Sequence, residues 1–285
     1  MERKSSYRRI VKIGNSSYVS LPKKWVEDRG LEQGGLLSVE QLDEGLLIKP
    51  VSGKGQVQVK AKSLGSATAR DVISAYLSGY ELIEVTKPTK DFTESLHKLL
   101  NLLVGLEIVE ENKEHIMLQC FVKEGYDVRS VLYRMDAVSR SMYLDAAKGL
   151  EEGDAELLES VRSRDDRLDR LYFLAVRLIR SLASSPSLNN QERVFLVDAR
   201  LVAKILEEIG DEAERMSQAK PVKGLLPTAE VLAKCQEAAL YSFLETHRNV
   251  QCTNILQFLK VQKLGNAWTS LNRIARLVFD ITELT

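Results

Sequence analysis

The stretch Leu206-Glu207-Glu208-Ile209-Gly210-Asp211-Glu212-Ala213 sets Glu207 and Asp211 one helical turn apart beside a glycine. Gly costs a helix interior about 1 kcal/mol relative to Ala. A local need for a missing side chain is therefore expected at Gly210. Upstream, Asp165-Asp166-Arg167-Leu168-Asp169 repeats the theme, with Asp165 and Asp169 again at i,i+4. Like-charge pairs at this spacing destabilise a helix by a few tenths of a kcal/mol each, and a shared cation would relieve them. All four side chains are hard oxygen donors, which suits Mg, Mn, Fe or Ca as a divalent or trivalent ion. The alternative stays open: helical rotation carries Glu207 and Asp211 away from the apolar stripe Leu201, Ile205, Ile209 and Met216, where they could be ordinary solvated acids.

Working outward from this stretch, the chain from Asp127 reads as helix. Val128 to Leu150, Ala155 to Leu182 and Gln191 to Gln218 are long amphipathic segments separated by Gly153-Asp154 and Ser184-Ser185-Pro186. The middle segment draws its own stripe through Val161, Leu168, Ala175 and Leu182. Three such segments predict a helical bundle over residues 125–220. Pro221 to Pro227 interrupts the chain, and Ala229 to His247 and Cys252 to Leu284 supply further helix. Leu271-Asn272-Arg273-Ile274-Ala275-Arg276 echoes Leu206 to Asp211, so residues 226–285 are expected to be a degenerate second copy in which Asn272 and Arg276 replace the acids.

Residues 56–123 alternate in period. Gln56 to Lys60 and Glu81 to Thr86 read as extended, Thr68 to Leu77 and Phe92 to Val104 as helical, and Leu106 to Glu110 with Ile116 to Val122 as a hairpin around Asn112-Lys113-Glu114. The order predicts a small two-layer α/β module. Within residues 1–51, strands are expected at Ile10 to Ile13, at Tyr18 to Leu21, at Leu36 to Gln41 and at Leu46 to Lys49. Gly14-Asn15 and Asp43-Glu44-Gly45 are turns, Pro22 opens a short helix that Gly30 closes, and Ser52-Gly53-Lys54-Gly55 is a linker.

Composition narrows the function classes. The 285 residues are 44% apolar and 28% charged, with forty basic residues against forty acidic ones. Nucleic-acid binding must therefore come from a local patch. No apolar run reaches the roughly 20 residues of a membrane span, and the N-terminus lacks a secretion-signal core, so a cytoplasmic protein without membrane insertion is expected. Cys120, Cys235 and Cys252 are scattered, as are the three histidines, which argues against a disulfide framework and a thiolate metal site. No Gly-rich phosphate loop, no Ser/His/Asp set and no Glu-x-x-His pair in the helical region points to an enzyme.

The local patch is at the N-terminus. Arg3, Lys4, Arg8, Arg9, Lys12, Lys23 and Lys24 are opposed only by Glu2 within the first 24 residues. Such clustering is the electrostatic footprint of a protein that grips phosphate backbones. Asn15 and Ser17 on the intervening turn add groups able to reach phosphate oxygens or base edges.

Two stretches carry resemblances. Val11-Lys12-Ile13-Gly14-Asn15-Ser16-Ser17-Tyr18-Val19-Ser20-Leu21-Pro22-Lys23-Lys24-Trp25, followed by Gly30-Leu31-Glu32-Gln33-Gly34-Gly35, resembles the AbrB, SpoVT and MazE family of swapped-hairpin DNA-binding domains. That resemblance implies a homodimer through the N-terminal domain, double-stranded DNA as partner, and Arg8, Arg9, Lys12, Asn15 and Ser17 as contacts, to which the cationic patch adds Lys23 and Lys24 at the helix start as DNA-binding candidates. The two acidic stretches resemble the PhoU family of helical regulators of phosphate uptake, whose paired acidic motifs hold metal on the outer surface of the bundle. This implies Asp165, Asp169, Glu207 and Asp211 as ligands. The expected fold class is multidomain α+β: a small swapped-hairpin β domain, a small α/β middle module and a C-terminal PhoU-like helical bundle. The expected function is a transcriptional regulator, of phosphate uptake or related transport genes, whose helical domain senses metal, phosphate status or a partner. The alternative is a dimeric signalling adaptor that regulates a phosphate transporter or kinase by protein contact without DNA.

Overall fold

A computed structural model describes residues 7–42, 45–50, 60–65, 67–122, 126–185, 187–245 and 265–284. The chain divides into two compact units, residues 1–58 and 59–285. In the first, β1 (Val11–Ile13) and β2 (Ser16–Tyr18) form an antiparallel hairpin. Its turn needs Gly14, which sits at φ +60°, where a Cβ is strained. The second strand closes on Ser16 rather than Tyr18 because the turn is only two residues long. Helix α1 (Lys23–Glu27) follows Pro22, and Gly30 at φ +58° ends the segment. Strands β3 (Leu37–Leu42) and β4 (Gly45–Pro50) pair antiparallel from Leu37 opposite Pro50 to Leu42 opposite Gly45. The expected turn residues Asp43 and Glu44, the linker Ser52 to Gly55, and Arg3 and Lys4 lie outside the described residues. Among described residues up to Pro50, none is buried.

The second unit opens with a four-stranded sheet of order β5-β6-β8-β7. These are β5 (Ala61–Leu64), β6 (Leu82–Thr86), β7 (Leu106–Glu111) and β8 (His115–Cys120), with β5 parallel to β6 and the other pairs antiparallel. The first strand stands C-terminal to its expected place: Lys60 precedes it, and residues 56–59 lie outside the described ones. Helices α2 (Ala69–Leu77) and α3 (Lys90–Leu102) cover one face. Val72, Ala75, Tyr76, Phe92, Leu96 and Leu99 pack there on Ile83, Val85, Ile116 and Leu118. Thr68 with Asp71 forms a capping box on α2, and the Thr89 hydroxyl accepts from Phe92 N on α3.

Long helices follow: α4 (Val128–Glu152), α5 (Ala155–Ala183), α6 (Asn190–Ser217), α7 (Leu226–Glu245) and α8 (Asn266–Glu283). The first three begin where Asp127, Asp154 and Asn189 accept hydrogen bonds from free N–H groups of the first turn. Gly153 at φ +72° stops α4. Helices α4, α5 and α6 pack mutually, while α7 lies on α4, α8 on α6, and α7 on α8, in one apolar core. Ala146, Ala147, Ala199 and Ala203 are fully buried and let the backbones approach closely. Two stripe positions differ from expectation: Leu182 and Leu201 are exposed. Core-facing positions on α6 follow Ala199, Val202, Ala203, Leu206, Ile209, Gly210 and Ala213. Ile205, Ile209 and Met216 of the expected stripe are buried, and the small residues Ala199, Ala203, Gly210 and Ala213 widen the buried face beside them. Residues 246–264, including His247 and Cys252, lie outside the described residues. Cys120 is free and buried, whereas Cys235 is disulfide-bonded. Scattered spacing argues against a framework, not against one bonded cysteine.

No described helix is long and apolar enough to cross a membrane.

Candidate functional site

The N-terminal hairpin has two chemically distinct faces. Lys12 stands opposite Ser17 in the ladder, and Val11 opposite Tyr18. Directly opposed residues share a face, and the face alternates along the strand. Lys12 and Ser17 therefore share one face, and Val11, Ile13, Ser16 and Tyr18 the other. Asn15 sits in the turn. Arg8 and Arg9 lie on the exposed lead-in to β1, and Lys23 and Lys24 on the first turn of α1. Only Lys23 among these cations has an ion-pair partner in the described residues, Glu27 at 3.6 Å, and both are exposed. An exposed pair of this kind contributes little, so the cationic character of the segment is available to a polyanion.

The acidic stretches meet where α5 packs on α6. Gly210 is fully buried against Leu168, and a Cβ built there would overlap Leu168 Cδ2 while lying 3.5 Å from Asp165 Oδ1. The glycine is thus the contact point that draws the two acid-bearing turns together. Asp165, Asp169, Glu207 and Asp211 all border this seam and interact electrostatically across it. They are less exposed than an outer surface implies: the Glu207 side chain retains 15% of its accessibility and Asp211 37%. Burial raises the Asp165 carboxyl to about 7, reinforced by the negative charges of Asp169, Asp211, Glu214 and Asp166. Burial likewise raises Asp169 to about 6, reinforced by Glu207, Asp211 and Asp166 and opposed by Lys204.

Protein cations answer part of this charge. Lys204 bonds Glu207 and lies 3.5 Å from Glu208, and Arg215 approaches Asp211 at 3.9 Å. Asp165 and Asp169 have no ion-pair partner within 4 Å among the described residues. Half-buried carboxylates that repel one another suit a hard cation in their chemistry. Among the described residues, however, no three Asp, Glu, His or Cys side chains converge on one point as a ready-made metal cage.

The α8 echo does not face away. Arg273, which aligns with Glu208, reaches Glu212 Oε1 at 3.2 Å, where Arg215 of α6 also binds. Glu212 is buried and its Oε2 has no partner. This carboxylate, invisible among its acidic neighbours in sequence, ties α8 to α6. Its only signal was an arginine in the echo where the first copy carries an acid. Arg177 was missed altogether. It is buried on α5, donates to the carbonyls of Tyr76 and Tyr80, and lies 4.7 Å over the Tyr76 ring. It anchors the α/β layer to the bundle.

Comparison with known families agrees with this division of labour. Residues 10–56 match the model described as "Antidote-toxin recognition MazE, bacterial antitoxin", and residues 132–219 match the PhoU domain. A solved structure, PhoU from Pseudomonas aeruginosa, is 19% identical over 55% of this chain and 93% of its own length, with a TM-score of 0.47. No curated protein matches the chain significantly. The chain is a multidomain α+β protein whose residues 10–56 are similar to the MazE antitoxin family and whose residues 132–219 are similar to the PhoU domain family.

Proposed function

We propose that the protein is a dimeric, cytoplasmic DNA-binding regulator of phosphate-uptake or related transport genes, with the PhoU domain as its sensory part. The observation that carries this reading is the two-faced hairpin. Lys12 and Ser17 share a polar face at the end of a cationic lead-in, and the opposite face of Val11, Ile13 and Tyr18 is uncovered within the chain. A partner copy supplies the cover, and the polar faces then meet duplex DNA with Arg8, Arg9, Asn15, Lys23 and Lys24. Each phosphate neutralised by a cation releases counterions, which makes affinity fall steeply with salt. The test is the slope of log affinity against log salt on genomic fragments. Arg8→Ala with Lys12→Ala should weaken binding and reduce the slope by about 1 per lost phosphate contact. An unchanged slope would move the interface elsewhere.

In the sensory part, Asp165, Asp169, Glu207 and Asp211 would hold one divalent or trivalent cation, displacing Lys204 from Glu207. The bound ion supplies positive charge to a seam that otherwise holds repelling carboxylates.

A second reading rests on its own observation. Val194, Val197 and Leu201 form an exposed apolar stripe at i, i+3 and i+7 on α6. A stripe of this spacing is the mark of a protein-contact surface. It supports an adaptor that holds a transporter or kinase, and full retention of regulation by a variant unable to bind DNA would favour it.

A further inference from the structure

Between α3 and α5 lies a cleft of ≈850 Å³. It falls within the range of about 300–1,000 Å³ typical of small-molecule sites. The α/β layer is held to α5 through Arg177 and by Phe173 packed on the layer's core, and the cleft is a part of the same joint left unfilled. On α5, Ser163, Asp166, Arg167 and Arg170 follow i, i+3, i+4 and i+7 and share one face. Lys98 and Asn101 come from α3, and Leu102, Val104 and Leu171 supply apolar wall.

The cations of this cleft differ from those that border the acidic seam and Glu212. Lys204, Arg215 and Arg273 each have acidic partners. Lys98, Arg167 and Arg170 have neither an ion pair nor a hydrogen bond with any described residue, although Asp166 lies between them. The lining carries three cations against two carboxylates, Asp166 and Asp169. Two guanidiniums one turn apart match phosphate oxygens in forked geometry. The apolar wall takes a ring, which inorganic phosphate lacks, and Asp166 and Asn101 can accept from the sugar hydroxyls or base amino groups attached to it.

We infer that this cleft is a binding site for a nucleotide-like organic phosphate, held by Arg167, Arg170 and Lys98 at its anionic end and by Leu102, Val104 and Leu171 at its ring. Such a ligand bridges the α/β layer and the helix that carries Asp165 and Asp169. Occupancy would therefore brace the joint beside the acidic seam. The inference does not depend on the metal or DNA readings.

The test is calorimetric titration of the full chain with ATP, AMP, adenosine and inorganic phosphate. A chelator keeps the acidic seam out of the measurement. ATP or AMP should bind saturably, with adenosine and inorganic phosphate each weaker by roughly tenfold or more. Arg167→Ala with Arg170→Ala should lower nucleotide affinity at least about tenfold, with the helical melting transition retained. Arg162→Ala, whose charge is paired with Glu159 on the same helix, should leave affinity unchanged. Arg8→Ala with Lys12→Ala, which tests the DNA reading, should also leave it unchanged. Inorganic phosphate binding as tightly as nucleotide overturns the nucleotide assignment. The cleft itself is overturned if no nucleotide binds, or if binding survives loss of Arg167 and Arg170. Should the double variant fail to fold, Lys98→Ala on α3 must show the same loss.

Discussion

A methyl group on Gly210 would collide with a leucine that is itself fully buried. Ala is the better helix former by about 1 kcal/mol, but overpacking a core contact costs about 1–3 kcal/mol. Gly210→Ala is expected to lower the free energy of helical unfolding by a net of about 1 kcal/mol, and Leu168→Val should partly restore it in the double variant. A more stable single variant would show that Leu168 rotates away freely and that the close approach is not required. At the neighbouring Asp165, burial raises the carboxyl to about 7 from 3.8. The folded state then holds the proton more tightly than the unfolded chain, so stability from this group is greatest near pH 4 and declines as pH rises through 7. In chelated buffer Asp165→Asn should match the native chain near pH 4 and exceed it increasingly toward pH 8. A difference that is flat with pH would mean the carboxyl is not raised. Added Mg or Mn at pH 8 should stabilise the native chain in proportion to its concentration. Glu207→Ala with Asp211→Ala should abolish that rise. If it persists, these residues are solvated acids and any ion lies elsewhere.

At the scale of elements, Arg177 joins two layers that the sequence presents as separate. The residue is 7% exposed, and its guanidinium finds carbonyl partners and a ring rather than an acid. Hydrogen bonds from a charged donor contribute about 1.5–3 kcal/mol each. Arg177→Ala is expected to raise amide exchange across β5, α2 and β6 while the α4 and α6 amides stay protected, and unchanged exchange in the sheet would assign the joint to Phe173 instead. Elements built from strong local signals were legible beforehand. The 3.6-residue period and the breaks at Gly153-Asp154 and Ser184-Ser185-Pro186 mark the long helices, and Asn112-Lys113-Glu114 marks the β7–β8 hairpin. What escaped is what depends on partners far along the chain. The exposure of Leu201 and Leu182 follows from which side of each helix meets a neighbour, and on α6 alanines mark that side as much as Leu206 and Ile209 do. Arg177 looked like any surface cation, because its partners are main-chain carbonyls a hundred residues earlier. The acid pairs were visible by spacing, yet their meeting across one seam needed the α5–α6 packing that Gly210 permits.

For the molecule as a whole, the first unit is short of a core. Tyr7 is 98% exposed, Ile10 74% and Leu36 73%, and Val11, Ile13, Tyr18, Val39 and Leu46 remain more than half accessible. Two separate two-stranded sheets and a five-residue helix do not bury enough apolar surface to offset the entropy of ordering them. Covering a large apolar side chain contributes about 1.5–3 kcal/mol, so a second copy of the same hairpins can provide what one copy lacks, with both gaining equally through a two-fold interface. The full chain should therefore sediment as a dimer at micromolar concentration. Ile13→Asp with Tyr18→Ser should weaken association by roughly 3 kcal/mol, about a hundredfold in dissociation constant. Because folding and association are linked here, the resulting monomer should also lose exchange protection over residues 7–50 while its bundle stays helical. DNA affinity should fall with it, since a single hairpin engages only half of a two-fold site. A native chain that stays monomeric on sedimentation, with β1 to β4 still protected from exchange, would show that this unit folds alone and would remove the basis for reading its apolar face as a dimer interface.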